Sequence, residues 1–111
     1  MKTSEINFKI ILDENNVPEK IDWIATDKPG ESESTNAINI SVWDNEEKNT
    51  MRIDLWTKEM QVHEMKKFYI DNLGGMSQSI LSATGDEVMA TAINDLCDKL
   101  GKHLEQELKQ S

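Results

Sequence analysis

A chain of 111 residues is long enough for one core and too short for two ordinary domains, and no internal repeat divides it. It is 37% hydrophobic and 30% charged, with a formal net charge of -9. A surface this acidic repels phosphate backbones and anionic lipid heads, which excludes nucleic acid as a partner and favours cationic or basic-apolar segments.

Taken from the N-terminus, Ile6, Phe8, Ile10 and Leu12 alternate with Asn7, Lys9 and Ile11, the period of a first strand. Asp13-Glu14-Asn15-Asn16 is a turn cluster, and Val17, Ile21, Trp23 and Ala25 alternate through a second strand that begins at or after Pro18. A four-residue loop pairs Leu12 with Val17, Phe8 with Ile21 and Ile6 with Trp23, all on one face. The stretch Asp27 to Ser34 reads as a polar loop with Pro29-Gly30 as its turn signal. Ile38, Ile40 and Val42 give a third strand, Asn45-Glu46-Glu47-Lys48 a turn, and Met51, Ile53 and Leu55 a fourth. Pairing Val42 with Met51 sets Ile40 beside Ile53, Ile38 beside Leu55 and Trp56 opposite Ala37.

After Trp56 the apolar period changes from two to between three and four. Thr57 sits at the change, as the N-cap of a helix predicted over Lys58 to Ala83, with Glu59 in its first turn. Val62, Met65, Tyr69, Leu73, Met76 and Ile80 form its stripe. Gly74-Gly75 costs this helix roughly 2 kcal/mol relative to alanines, so either the helix breaks there or something packs close against it. Thr84-Gly85-Asp86 ends it and caps a second helix, whose stripe runs from Val88 through Leu108. The fold expected is a single α+β domain over residues 1–111: a four-stranded antiparallel sheet of two hairpins, with two C-terminal helices packed on one face.

The lone cysteine, Cys97, has no partner for an internal disulfide, the N-terminus has no signal-peptide pattern, and no run approaches the roughly 20 apolar residues of a membrane span. The chain therefore reads as cytoplasmic, without membrane insertion. Cys97 falls beside the helical stripe without a cationic neighbourhood, the position of a structural thiol.

The search for chemistry yields little. Neither acidic hairpin turn has the glycine and ligand spacing of a calcium loop, and there is no nucleophile elbow or phosphate loop. Glu59 and His63 are four apart, as are His103 and Glu107; in an antiparallel helix pair the two couples fall at a similar level and supply a candidate zinc set. Such spacings are common on helix surfaces, and neither histidine lies in a zinc motif. No cofactor is expected. The outward sheet face says more. With the apolar alternations turned to the helices, Ile11, Ile24, Trp43 and Trp56 point away from them, and tryptophans so placed anchor interfaces. Trp43 and Trp56 lie roughly 20 Å apart in one chain, so they cannot stack on each other there. A dimer, or a larger homo-oligomer, covers them.

The stretches Met1 to Ile6, Leu12-Asp13-Glu14-Asn15-Asn16-Val17-Pro18-Glu19-Lys20-Ile21, Trp23, Ala25-Thr26-Asp27 and Ile53-Asp54-Leu55-Trp56-Thr57-Lys58 resemble the GldC family of gliding motility proteins of Bacteroidetes. Glu64-Met65-Lys66, Phe68-Tyr69, Leu96-Cys97 and His103-Leu104-Glu105 extend the resemblance over nearly the whole chain. It implies a soluble, non-enzymatic accessory of gliding motility linked to secretion of surface adhesins, with motility or secretion proteins as partners, and it carries over no catalytic residue. The order of elements is also similar to that of the SecB export chaperones, as architecture alone. The function expected is thus protein binding, of a chaperone-like kind, in the export or assembly of motility components. The alternative is a small metal-dependent enzyme built on the His63 and His103 region.

Overall fold

The computed structural model describes residues 1–28 and 30–110. It has five strands followed by two helices: β1 (Ile6–Leu12), β2 (Pro18–Ala25), β3 (Glu33–Thr35), β4 (Ala37–Asp44), β5 (Asn49–Trp56), α1 (Val62–Thr84) and α2 (Glu87–Gln110). The chain divides into two compact units, a strand unit over Met1–Met60 and a helical unit from Gln61 onward.

The α+β class and the two C-terminal helices are as expected; the single four-stranded sheet is not. The strands form a three-stranded sheet in the order β1-β2-β3 and a separate two-stranded ribbon, β4-β5. The cause is β3, which begins inside the stretch Asp27 to Ser34 expected to be a polar loop. Glu33, Ser34 and Thr35 pair with Trp23, Asp22 and Ile21, occupying the edge of β2 that the next hairpin was expected to take. Ser34 Oγ donates to Asp22 Oδ1 at 2.8 Å. Lys28 folds the preceding loop back, its ammonium 5.1 Å from the Trp23 ring centroid, 3.1 Å from the Glu31 carbonyl and 3.2 Å from a Glu33 carboxylate oxygen. The predicted Pro29-Gly30 turn lies partly outside the described residues; Gly30 itself has a φ of 97°. Asn36 alone separates β3 from β4, and there the chain leaves one sheet for the other.

The first hairpin closes two residues further along than the loop length suggested. Asp13 Oδ1 accepts the backbone N–H groups of Asn15 and Val17 at 2.8 and 2.9 Å, and Asn16 turns the chain with a φ of 64°. Val17 is thereby drawn out of the ladder, Pro18 has no N–H to give it, and a bulge follows at Ile11/Leu12. Phe8 then faces Trp23, and Ile10 faces Ile21. The shift is even, so the apolar face survives: the Phe8 and Trp23 rings stack at 6.4 Å, and Ile21 is fully buried. The second hairpin has the expected register, with Val42 opposite Met51 and Ala37 opposite Trp56. Asp44 Oδ1 receives the N–H groups of Glu46 and Glu47 at 2.9 and 3.1 Å, and Lys48 closes the turn with a φ of 58°.

Thr57 is not a helix cap. Its hydroxyl bonds the Asn36 side chain at 3.1 Å, its N–H the Asn36 carbonyl at 2.8 Å, and its own carbonyl takes the N–H of Met60 at 3.1 Å. That turn delays α1 to Val62, behind an N-cap Gln61 that makes no side-chain cap bond, and leaves Glu59 outside the first turn, where Glu64 stands instead.

In the helical unit α1 runs unbroken through Gly74-Gly75, and a Cβ built on either glycine meets nothing within 4 Å. Neither reading of the glycine pair, a break or a close approach, applies within the chain. Gly85, at a φ of 71°, caps α1 by donating to the Leu81 carbonyl at 2.9 Å, and Asp86 Oδ1 caps α2 through the Met89 N–H at 3.0 Å. The helices pack antiparallel around Met65, Tyr69, Leu73 and Ile80 against Ile93, Leu100 and Leu104, all half-buried. Ser77 is buried and donates to the Ala90 carbonyl at 3.0 Å, while Cys97 lies half-buried with its thiol 3.9 Å from the Ile70 carbonyl. Among the described residues no helix is long and apolar enough to cross a membrane.

Candidate interaction surface

The β4-β5 ribbon shows its apolar side chains to solvent on both faces. Trp43 and Trp56, on the face that also carries Arg52 and Asp54, are 56% and 51% exposed. On the opposite face Val42, Met51 and Ile53 are 55%, 61% and 50% exposed. Toward the other end of that face Ile38 is buried and Ile40 and Leu55 are half-buried. A two-stranded ribbon eight residues long has two faces and one partner strand, so the residues near its turn find no cover within it. Exposed apolar side chains grouped in this way mark interaction sites.

The predicted surface residues divide between the two sheets. Trp43 and Trp56 share a face of the ribbon, whereas Ile11 and Ile24, both exposed, belong to the β1-β2-β3 sheet. The four do not form one sheet face, because β3 separates the two hairpins. What the sequence reading missed is the other side of the ribbon. Val42, Met51 and Ile53 were assigned to an inward face on their alternation, and alternation cannot say whether a face finds cover.

A second feature lies where the two sheets meet. Lys58, just past β5, forms an ion pair with Asp13 in the first hairpin turn and reaches Glu19 at 3.8 Å. The Lys58 contact holds the Asp13 carboxyl below its usual range, and Asp13 in turn raises the Lys58 ammonium. The same elements wall an open groove of about 440 Å³, with Val17 and Pro18 on one side and Leu55, Trp56 and Met60 on the other. Trp56 thus lines a groove that the β1-β2 turn completes.

The candidate metal ligands are differently placed. Glu107 Oε1 and Oε2 receive the Lys66 ammonium at 2.8 and 2.9 Å, across the helix pair, and His103 lies 3.3 Å from the same carboxylate. Lys66 holds the Glu107 carboxyl below its ordinary value. His63 is exposed on the first turn of α1, and Glu59 precedes the helix. Among the described residues no group of three or more His, Cys, Asp or Glu side chains is placed to hold a metal ion.

No curated protein and no solved structure matches the chain. A family model described as gliding motility-associated protein GldC-like matches residues 18–106, from the start of β2 to the last turns of α2. That span takes in the ribbon, the Asn36 junction and both helices, and by it the chain belongs to the GldC-like family of gliding motility-associated proteins.

Proposed function

We propose that the chain is a non-enzymatic, protein-binding accessory of gliding motility, chaperone-like in that it covers apolar segments of motility or secretion components during their export or assembly. It acts in the cytoplasm as a homo-oligomer, most simply a dimer. The observation that carries this reading is the ribbon, with apolar side chains exposed on both faces next to an open apolar groove. The family membership supplies the process. The net charge of -9 selects among partners, favouring cationic or basic-apolar segments over nucleic acid or anionic lipid. Deletion of the gene in its host is expected to abolish surface spreading. Wild-type protein restores it, and a Val42→Ser/Met51→Ser variant, which alters only exposed side chains, does not. A deletion strain that spreads normally and exports its surface adhesins normally overturns the proposal.

A further inference from the structure

Sheet edges expose unpaired backbone groups, and natural proteins blunt them with proline, bulges or short strands. β5 has none of these. It is eight residues long, pairs among the described residues with β4 alone, keeps an unbroken register and contains no proline. Along it Asn49 through Ile53 and Trp56 are exposed, and Asp54 and Leu55 are half-buried. The free edge of β1 differs, with a bulge at Ile11/Leu12 and Lys9 as its one charged side chain.

Met51-Arg52-Ile53-Asp54-Leu55 reads apolar, positive, apolar, negative, apolar. Two identical antiparallel strands related by a two-fold axis must be centred on a residue, because directly opposed residues share a face. Centring on Arg52 or on Asp54 sets like charges against each other. Centring on Ile53 sets Arg52 opposite the partner's Asp54, and Asp54 opposite the partner's Arg52. Met51 then faces the partner's Leu55, and Ile53 faces the partner's Ile53. We propose, building on the reading of the chain as self-associating, that β5 pairs with β5 of a second copy about Ile53, joining two ribbons into one four-stranded sheet, β4-β5-β5-β4.

The observed register of the ribbon extends this match across the whole sheet. Ile40 lies opposite Ile53 in one chain, so the central row becomes four isoleucines, two from each copy. Val42 lies opposite Met51 and Ile38 opposite Leu55, so the flanking rows are apolar throughout. On the other face Trp43 lies opposite Thr50, and the partner's Trp56 takes the far side of Thr50. The two tryptophans, at opposite ends of the ribbon in one chain, come within two strand spacings, about 10 Å, across the pair. Arg52 already contacts Asp54 within its own strand, at 3.1 Å, so the dimer brings two such pairs into one ring of alternating charge.

Charge reversal tests the register. Arg52→Asp sets Asp against Asp at two symmetric places, and Asp54→Arg sets Arg against Arg. Sedimentation equilibrium is expected to show a wild-type dimer and, for each variant, a dissociation constant raised about tenfold or more. Mixed in equal amounts, the two variants are complementary at every charged place and are expected to form a heterodimer of near wild-type affinity. The combined Arg52→Asp/Asp54→Arg protein is expected to dimerise by itself. A wild-type protein that stays at the chain mass of 12.7 kDa overturns self-association and this pairing together. A wild-type dimer whose two variants keep wild-type affinity overturns the β5 pairing alone and leaves self-association to another surface. Variants that dissociate but fail to combine also overturn it, with circular dichroism of each showing whether the ribbon was lost.

Discussion

Replacing Gly74 and Gly75 by alanine measures what the glycine pair does in α1. Both lie mid-helix, neither has a positive φ, and an added Cβ at either meets nothing within 4 Å. The substitution therefore brings no clash within the chain, and it removes backbone freedom from the unfolded state. Glycine costs a helix interior about 1 kcal/mol relative to alanine, so the double variant is expected to gain about 2 kcal/mol. For a chain of this length that corresponds to a rise in Tm of about 8–9 °C. Thermal unfolding followed by circular dichroism at 222 nm reads it directly, with each single variant expected to give about half the shift. An unchanged or lowered Tm refutes the reasoning, because it means that α1 is not an unstrained, freely accessible helix at these two positions. A raised Tm with lost spreading in the host is a different result: it assigns the bare helix surface at Gly74-Gly75 to close contact with a partner.

Three further outcomes follow from particular contacts. Lys58→Met is expected to lower the Tm near pH 7 by removing the ion pair with Asp13; since the folded Asp13 carboxyl titrates below its ordinary 3.8, the pair stabilises above that value and the difference from wild type should close as pH falls below it. At the alkaline end the same difference should close only above 10.5, the ordinary Lys58 value, because the folded ammonium holds its proton longer. Ser77→Ala, which leaves the Ala90 carbonyl without its buried donor, is expected to cost about 1 kcal/mol in urea unfolding, and no loss would mean that water replaces the hydroxyl. Protein purified without a histidine tag is expected to carry no stoichiometric metal, and one zinc per chain in elemental analysis would instead support the enzyme built on His63 and His103.

The elements were legible wherever their signal was local. The apolar period placed β4 and β5, and their register followed because this turn does close in four residues, with Asp44 opposite Asn49. Thr84-Gly85-Asp86 located the helix turn, because an αL glycine followed by a capping aspartate has one structural use. The first hairpin shows the limit of pattern: a shift of two residues preserves the apolar face, and only the Asp13 hydrogen bonds and Pro18 choose between the two registers. β3 carries no large apolar residue, and polar contacts through Ser34 and Lys28 hold it in place. Its absence from the sequence reading turned two sheets into one. Thr57 has the residue type of a helix cap, and a tertiary contact with Asn36 takes its hydroxyl. The candidate surface was half legible. Trp43 and Trp56 stood out by composition, whereas the exposure of Val42, Met51 and Ile53 follows only from the ribbon having two strands and no more.

The measurement closest to the central claim is the mass of the native protein in solution, by light scattering coupled to gel filtration at micromolar concentration and physiological salt. A ribbon whose exposed apolar faces serve association is expected to give twice the chain mass of 12.7 kDa, or a higher multiple. A single species at 12.7 kDa would contradict it.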